Sequence, residues 1–230
     1  MNGQDPIRKG PGEGVAGNRS AGVPPAGFLR QNDNVSVRNR GHLPNWEAAT
    51  ATYFVTFRLA DSLPQNALRN ISFARKDILS TAAQMGRAIS ELERKRLLKL
   101  HTRRIEKYLD AGVGACFLRN DAVAQVVADS LRQFDGTRYQ LFAWCVMPNH
   151  VHAVFQTIGG NTLPRILHSW KSYSAKQANQ ILRRSGEFWQ REYYDHLVRG
   201  VSEFHRARKY VIDNPKKAGL KDWPWVWPKD

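Results

Sequence analysis

The chemistry in this chain begins at residues 143–156, AWCVMPNHVHAVFQ, where His150 and His152 stand one residue apart in an otherwise apolar stretch. Strand side chains alternate faces, so the two imidazoles point the same way while Val151 points into the opposite layer. Two imidazoles so paired stand at metal-chelating distance. An H-x-H pair alone is a weak signal, equally compatible with two half-exposed histidines on a hairpin.

A second group raises the pair above that reading. Tyr210 and Asn214 are four residues apart in SEFHRARKYVIDNP, on the margin of the helical stripe formed by Phe204, Ala207 and Val211. A helix lying on a sheet could aim both at the histidines. Asn214 precedes Pro215, which is expected to end the helix and leave the carboxamide oxygen free to serve as a third ligand. The plain alternative for Asn214 is a helix C-cap.

These groups need a scaffold, and the pattern supplies one. TYFVTFRL (52–59) reads as a strand; DAVAQVVADSLRQF (121–134) repeats apolar residues at i, i+3, i+4 and i+7 with Asp121 as the expected N-cap. YQLFAWCVM, a PN turn and HVHAVFQ read as a β-hairpin. Residues 162–184 form a basic helix, with Pro164 near its start and Gly186 past its end. EYYDHLVR (192–199) is a further strand, and Ser202 to Pro215 a last helix. On this strand Tyr193 and Tyr194 alternate faces, so their hydroxyls cannot converge on one point. The fold class is therefore α+β, a ferredoxin-like antiparallel sheet with helices on one face, interrupted after the first strand by a helical insertion at 61–112. Within that insertion, 89–112 reads as a charged surface helix.

The ends differ from this core. Residues 1–41, rich in Gly, Pro, Asn and Arg, show no period and read as a flexible basic arm. The tail 221–230 holds three tryptophans interrupted by proline; it is expected to dock on the domain without regular structure. Cys116 and Cys145 form no metal or disulfide pattern.

With 35 Lys+Arg against 20 Asp+Glu, the net charge of +15 favours a polyanionic partner, nucleic acid first. No apolar run is long enough to span a membrane and residues 1–10 lack a signal core, so a cytoplasmic, nucleoid-associated protein with no membrane partner is expected.

MPNHVHAVF, a basic helix, FWQREYYDHLVR and YVIDNPKKAGL together resemble the single-tyrosine HUH transposases, specifically the REP-associated tyrosine transposases related to the IS200/IS605 transposases. The likeness runs from about Gly41 to Trp227, with residues 61–112 longer than in short members. It implies a ferredoxin-like fold; His150, His152 and Asn214 as metal ligands for Mg²⁺ or Mn²⁺; Tyr210 as nucleophile; and a 5′-phosphotyrosine intermediate on single-stranded, REP-like hairpin DNA. Asn149 is given no metal role. Trp170, Lys171, Tyr173, Lys176, Arg183 and Arg184, with Arg206, Lys209 and Lys216 beside the tyrosine, are the expected DNA contacts. One or both of Trp170 and Tyr173 would otherwise belong to the core. Monomer and homodimer stay open, as do mobilisation of its own insertion sequence and action on dispersed repeats. The competing class is a non-catalytic basic nucleic-acid-binding module. A zinc hydrolase ranks last, because no H-E-x-x-H accompanies the histidines.

Overall fold

The computed structural model describes residues 36–40, 43–47, 50–87, 90, 92–93, 105–106 and 108–228. Its centre is a five-stranded antiparallel sheet. Strands β3 (Thr52–Arg58), β4 (Tyr139–Val146), β5 (His150–Thr157) and β6 (Tyr194–Val198) lie in the order β6-β3-β5-β4, with β7 (Val226–Trp227) added beyond β4. Helix α2 (Asp121–Arg132) joins β3 to β4, and α3 (Leu163–Ile181) joins β5 to β6. In order of appearance the four main strands run 4-1-3-2, the ferredoxin-like split βαβ arrangement.

One face of this sheet is almost wholly apolar. Tyr53, Val55, Phe57, Val151, Ala153 and Phe155 point into a core shared with Val123, Val127 and Leu131 of α2 and Ile166, Leu167 and Trp170 of α3. At its middle the Tyr139 hydroxyl donates to the Leu131 carbonyl (2.8 Å) and accepts from Trp170 Nε1 (2.8 Å), so the polar tips of two buried aromatics satisfy one another.

Helix α4 (Val201–Lys217) lies on the other face, against Phe142, Ala143, Cys145 and Val154. The expectation of helices on one face thus holds only for α2 and α3. A register shift between Leu141 and Ala143 accommodates α4: the bulge turns both Phe142 and Ala143 toward it, and Phe142 meets Phe204 edge-on at 5.0 Å. Sequence alternation does not reveal a bulge, although a last helix aimed at the histidines was expected.

Other boundaries shift for identifiable reasons. The α2 cap is Asn120, whose side chain accepts from the Val123 N–H (3.2 Å); Asp121 is the first helical residue. Helix α4 starts after Gly200, one residue ahead of the expected Ser202, and Pro215 sits inside it. Asn214 therefore does not end the helix: its carbonyl accepts from Ala218 N–H (3.0 Å). A proline in the last turn forfeits one amide bond, and the turn closes around it with later donors.

Strands β1 (Ser36–Arg40) and β2 (Leu43–Glu47) pair antiparallel, with Val37 opposite Trp46. The end of the stretch read as a flexible arm is thus a hairpin strand, while residues 1–35 lie outside the described residues. A helix α1 (Gln65–Gln84) opens the insertion. Most of the helix expected over 89–112 lies outside the described residues, apart from helical positions at 92–93, 105–106 and 108–110.

The base of the insertion is closed. Asp61 Oδ2 accepts from the Ala115 N–H (2.8 Å), and Gly114, at φ +96°, packs so tightly that a Cβ there would stand 2.7 Å from the Asp61 carbonyl oxygen. Above it Leu63 packs with Ile105 and Leu109. The tail also docks, and against expectation it does so as regular structure: β7 pairs with Trp144 and Cys145, and Trp223 Nε1 donates to the Val146 carbonyl (2.7 Å). No helix among the described residues is long and apolar enough to cross a membrane.

Candidate active site

His150 and His152 lie on the α4 face of the sheet, both essentially fully buried, with their Nε2 atoms 3.0 Å apart. Each ring is held from behind. Asn149 Nδ2 donates to the Val113 carbonyl (2.9 Å), so its Oδ1 faces His150 and accepts from Nδ1 (2.8 Å). That leaves the His150 Nε2 lone pair directed at His152, a position satisfied by an Nε2 proton on His152 or by a shared cation. Thr56, the cross-strand partner of His152, bonds its Nδ1 at 2.7 Å. Burial lowers the His150 pKa to about 3 and holds His152 well below its usual value, with the neighbouring His150 adding to the effect. Both rings are neutral near pH 7, the form that ligates metals.

Tyr210 comes from α4 across the same face. Its ring meets that of His152 edge-on at 5.3 Å and that of Phe54 at 5.7 Å. The hydroxyl donates to Glu106 Oε1 at 3.0 Å, a contact from the insertion. Burial, followed by the charge and hydrogen bond of Glu106 and the charge of Asp110, pushes the phenol well above its usual pKa of about 10. Lys217 Nζ stands 4.9 Å from the ring centroid. One turn beyond the tyrosine, Asn214 is buried and its Oδ1 has no hydrogen-bond partner.

The spacing of the two imidazoles would suit a divalent cation. Two ligands about 2.1 Å from an octahedral metal and about 90° apart stand about 3.0 Å from each other, which is the imidazole spacing here. A buried amide oxygen without a donor costs about 1–3 kcal/mol, a deficit that coordination would remove. Among the described residues no group of three or more His, Cys, Asp or Glu side chains gathers here or elsewhere, so the candidate ligand set is two imidazoles and an amide oxygen.

The expected DNA contacts divide. Tyr173, Lys176, Arg183, Arg206 and Lys216 are exposed. Trp170 is 1 % exposed inside the core and cannot stack on a base. Lys171 Nζ is committed to the carbonyls of Gln190 (2.8 Å) and Arg191 (2.9 Å), and burial lowers its pKa to about 8. Arg184 lies over Phe117, 4.8 Å from the ring centroid, and Lys209 pairs with Asp213 at 2.8 Å. Tyr194 packs edge-on against Phe54 (6.1 Å), and His196 bonds Glu203 (2.7 Å).

Thr56, Arg58, Glu106 and Lys217 went unread in the sequence. Arg58 had a signal, a cation in the apolar run TYFVTFRL; it stands opposite His150 in register, 8 % exposed, with Nη1 unpartnered, and burial brings its pKa down to about 10. Lys217 lies seven residues after Tyr210, two helical turns along the same face. Glu106 had no signal, since its contact with Tyr210 spans 104 positions.

The site is thus a ferredoxin-like sheet carrying an H-x-H pair, with a helix tyrosine edge-on against it. Residues 118–214, which contain His150, His152, Tyr210 and Asn214, match the family described as Transposase IS200 like. The chain is 26 % identical over 93 residues to a REP-associated tyrosine transposase of Escherichia coli (strain K12), covering 38 % of this chain and 53 % of that protein. A relative from Haemophilus influenzae (strain ATCC 51907 / DSM 11121 / KW20 / Rd) is 29 % identical over 102 residues, covering 38 % and 57 %. The chain spans about half the length of these curated relatives. A solved structure described as a REP-associated tyrosine transposase bound to a REP hairpin aligns with a TM-score of 0.45 at 15 % identity, over 83 % of this chain and 81 % of that one.

Proposed function

We propose that this protein is a metal-dependent single-stranded DNA endonuclease and strand transferase that cleaves REP-like hairpin DNA through a 5′-phosphotyrosine intermediate. The observation that carries this reading is the edge-on contact of Tyr210 with His152 at 5.3 Å, which sets a phenol beside two neutral, back-anchored imidazoles. The net charge of +15 supports a polyanionic substrate, and the names of the curated relatives support the REP-type ligand.

His150, His152 and Asn214 would hold Mg²⁺ or Mn²⁺. Bound there, the ion supplies Lewis-acid polarisation of a phosphate oxygen and charge neutralisation. Asn149 and Thr56 keep the two rings fixed from behind. The Tyr210 oxygen attacks the scissile phosphorus, the bond from phosphorus to the 3′-oxygen breaks, and a free 3′-hydroxyl leaves. One phosphoester replaces another, so a 3′-hydroxyl can reverse the step and join strands. Exposed Tyr173, Lys176, Arg183, Arg206 and Lys216 supply stacking and phosphate contacts.

The test is incubation of the chain with a labelled hairpin oligonucleotide bearing a single-stranded flank, in Mg²⁺ or Mn²⁺. The wild type forms a covalent adduct that survives denaturing electrophoresis, and Tyr210→Phe loses it by at least about 10⁴-fold. Adduct formation by Tyr210→Phe at the wild-type rate would remove the nucleophile from this account.

A further inference from the structure

The insertion brings a carboxylate to the nucleophile. Its base is pinned by the Asp61–Ala115 hydrogen bond, and packing of Ile105 and Leu109 on Leu63 fixes the helical turn that carries Glu106. From there Glu106 Oε1 accepts from the Tyr210 hydroxyl at 3.0 Å, within range for direct proton transfer. Glu106 also lines a cleft with Thr56, Arg58 and Tyr194, so it borders both the nucleophile and the residue that holds His152. It lies outside the segment 118–214 that matches the family.

We propose that Glu106 is a catalytic residue of this chain, the acceptor of the Tyr210 proton, an inference that rests on Tyr210 being the nucleophile. As the phenolic oxygen forms its bond to phosphorus, the Tyr210 O–H bond breaks and the proton passes to Glu106. The bond from phosphorus to the 3′-oxygen breaks with its electron pair going to that oxygen, which takes a proton from water. In the reverse step an attacking 3′-hydroxyl gives its proton to water as its oxygen bonds phosphorus, the bond from phosphorus to the phenolic oxygen breaks, and the Glu106 carboxylic acid returns the proton to that oxygen. A carboxylate is far too weak a base to ionise a free phenol. Once that oxygen begins to bond phosphorus its proton becomes strongly acidic, and transfer to a carboxylate runs downhill. Before attack the same carboxylate accepts the phenolic hydrogen bond and aims the hydroxyl; among the described residues the charges nearby include Asp110 on the insertion and Lys217 on α4.

The test measures single-turnover adduct formation by the full chain on the labelled hairpin oligonucleotide. Glu106→Gln is expected to slow it about 10²–10⁴-fold, with binding of the same oligonucleotide unchanged. Glu106→Asp keeps part of the rate, and added formate partly restores Glu106→Ala. Formate rescue separates chemistry from folding, because a small carboxylate replaces a proton acceptor and not a packed helix. A Glu106→Gln rate equal to the wild type, or faster as for a released latch, overturns the proposal, as does Glu106→Ala unmoved by formate. If Tyr210→Phe also forms the adduct, the nucleophile assignment itself fails. If the wild type depends on Tyr210 while Glu106→Gln matches it, only the role of Glu106 is lost.

Discussion

The two faces of the central sheet are made by alternate residues of the same strands, yet they differ in kind. On the α2/α3 side Tyr53, Phe57, Phe155 and Trp170 interlock, and the polar tips of Tyr139 and Trp170 are spent on each other. On the α4 side the strands present Thr56, Arg58, His150 and His152, and buried polar atoms that include Asn214 Oδ1, Arg58 Nη1 and Thr52 Oγ1 lack partners. Burial on the first face is stabilising, about 25 cal/mol per Å² of apolar surface. On the second it holds unsatisfied groups out of water, an arrangement that persists because the first face supplies the stability.

That division can be tested from its largest expected effect downward. Trp170→Ala should destabilise the domain by about 3–5 kcal/mol, measured by urea denaturation, since it empties the centre of the core and strips Tyr139 of a donor. A loss under about 1 kcal/mol would mean that this face is not the main core. Asn149→Ala and Thr56→Val should each weaken divalent-metal affinity, read by titration, by about 10–100-fold, because each leaves an imidazole unanchored. Unchanged affinity in both would show that ring anchoring is irrelevant to the site. The smallest effect is expected at Asn120→Ala, about 1 kcal/mol of stability from the lost α2 cap with metal affinity untouched.

Much of this was legible in the sequence because it is periodic. The i, i+3, i+4 pattern of Val123, Val127 and Leu131 and the alternation around Val151 carry the ferredoxin-like order, and the same alternation sets His150 and His152 on one face. What was missed is not periodic. The bulge at Phe142 that seats α4 leaves no mark on the apolar pattern, and helix α4 runs through Pro215 despite the stop that proline signals. Trp170 reads as a base-stacking candidate until Tyr139, 31 positions away, is seen to bond it. Glu106 and Thr56 reach the site through contacts of 104 and 96 positions, which no local pattern encodes.

The central claim is that the phenol of Tyr210 and the imidazoles of His150 and His152 act on one phosphorus atom. It is tested most directly by trapping the wild-type adduct on hairpin DNA, digesting it, and locating the modified residue by mass spectrometry. The account predicts a 5′-phosphonucleotide on Tyr210, absent when metal is chelated; attachment to Tyr193, Tyr194 or any other residue, or an adduct formed equally without metal, would contradict it.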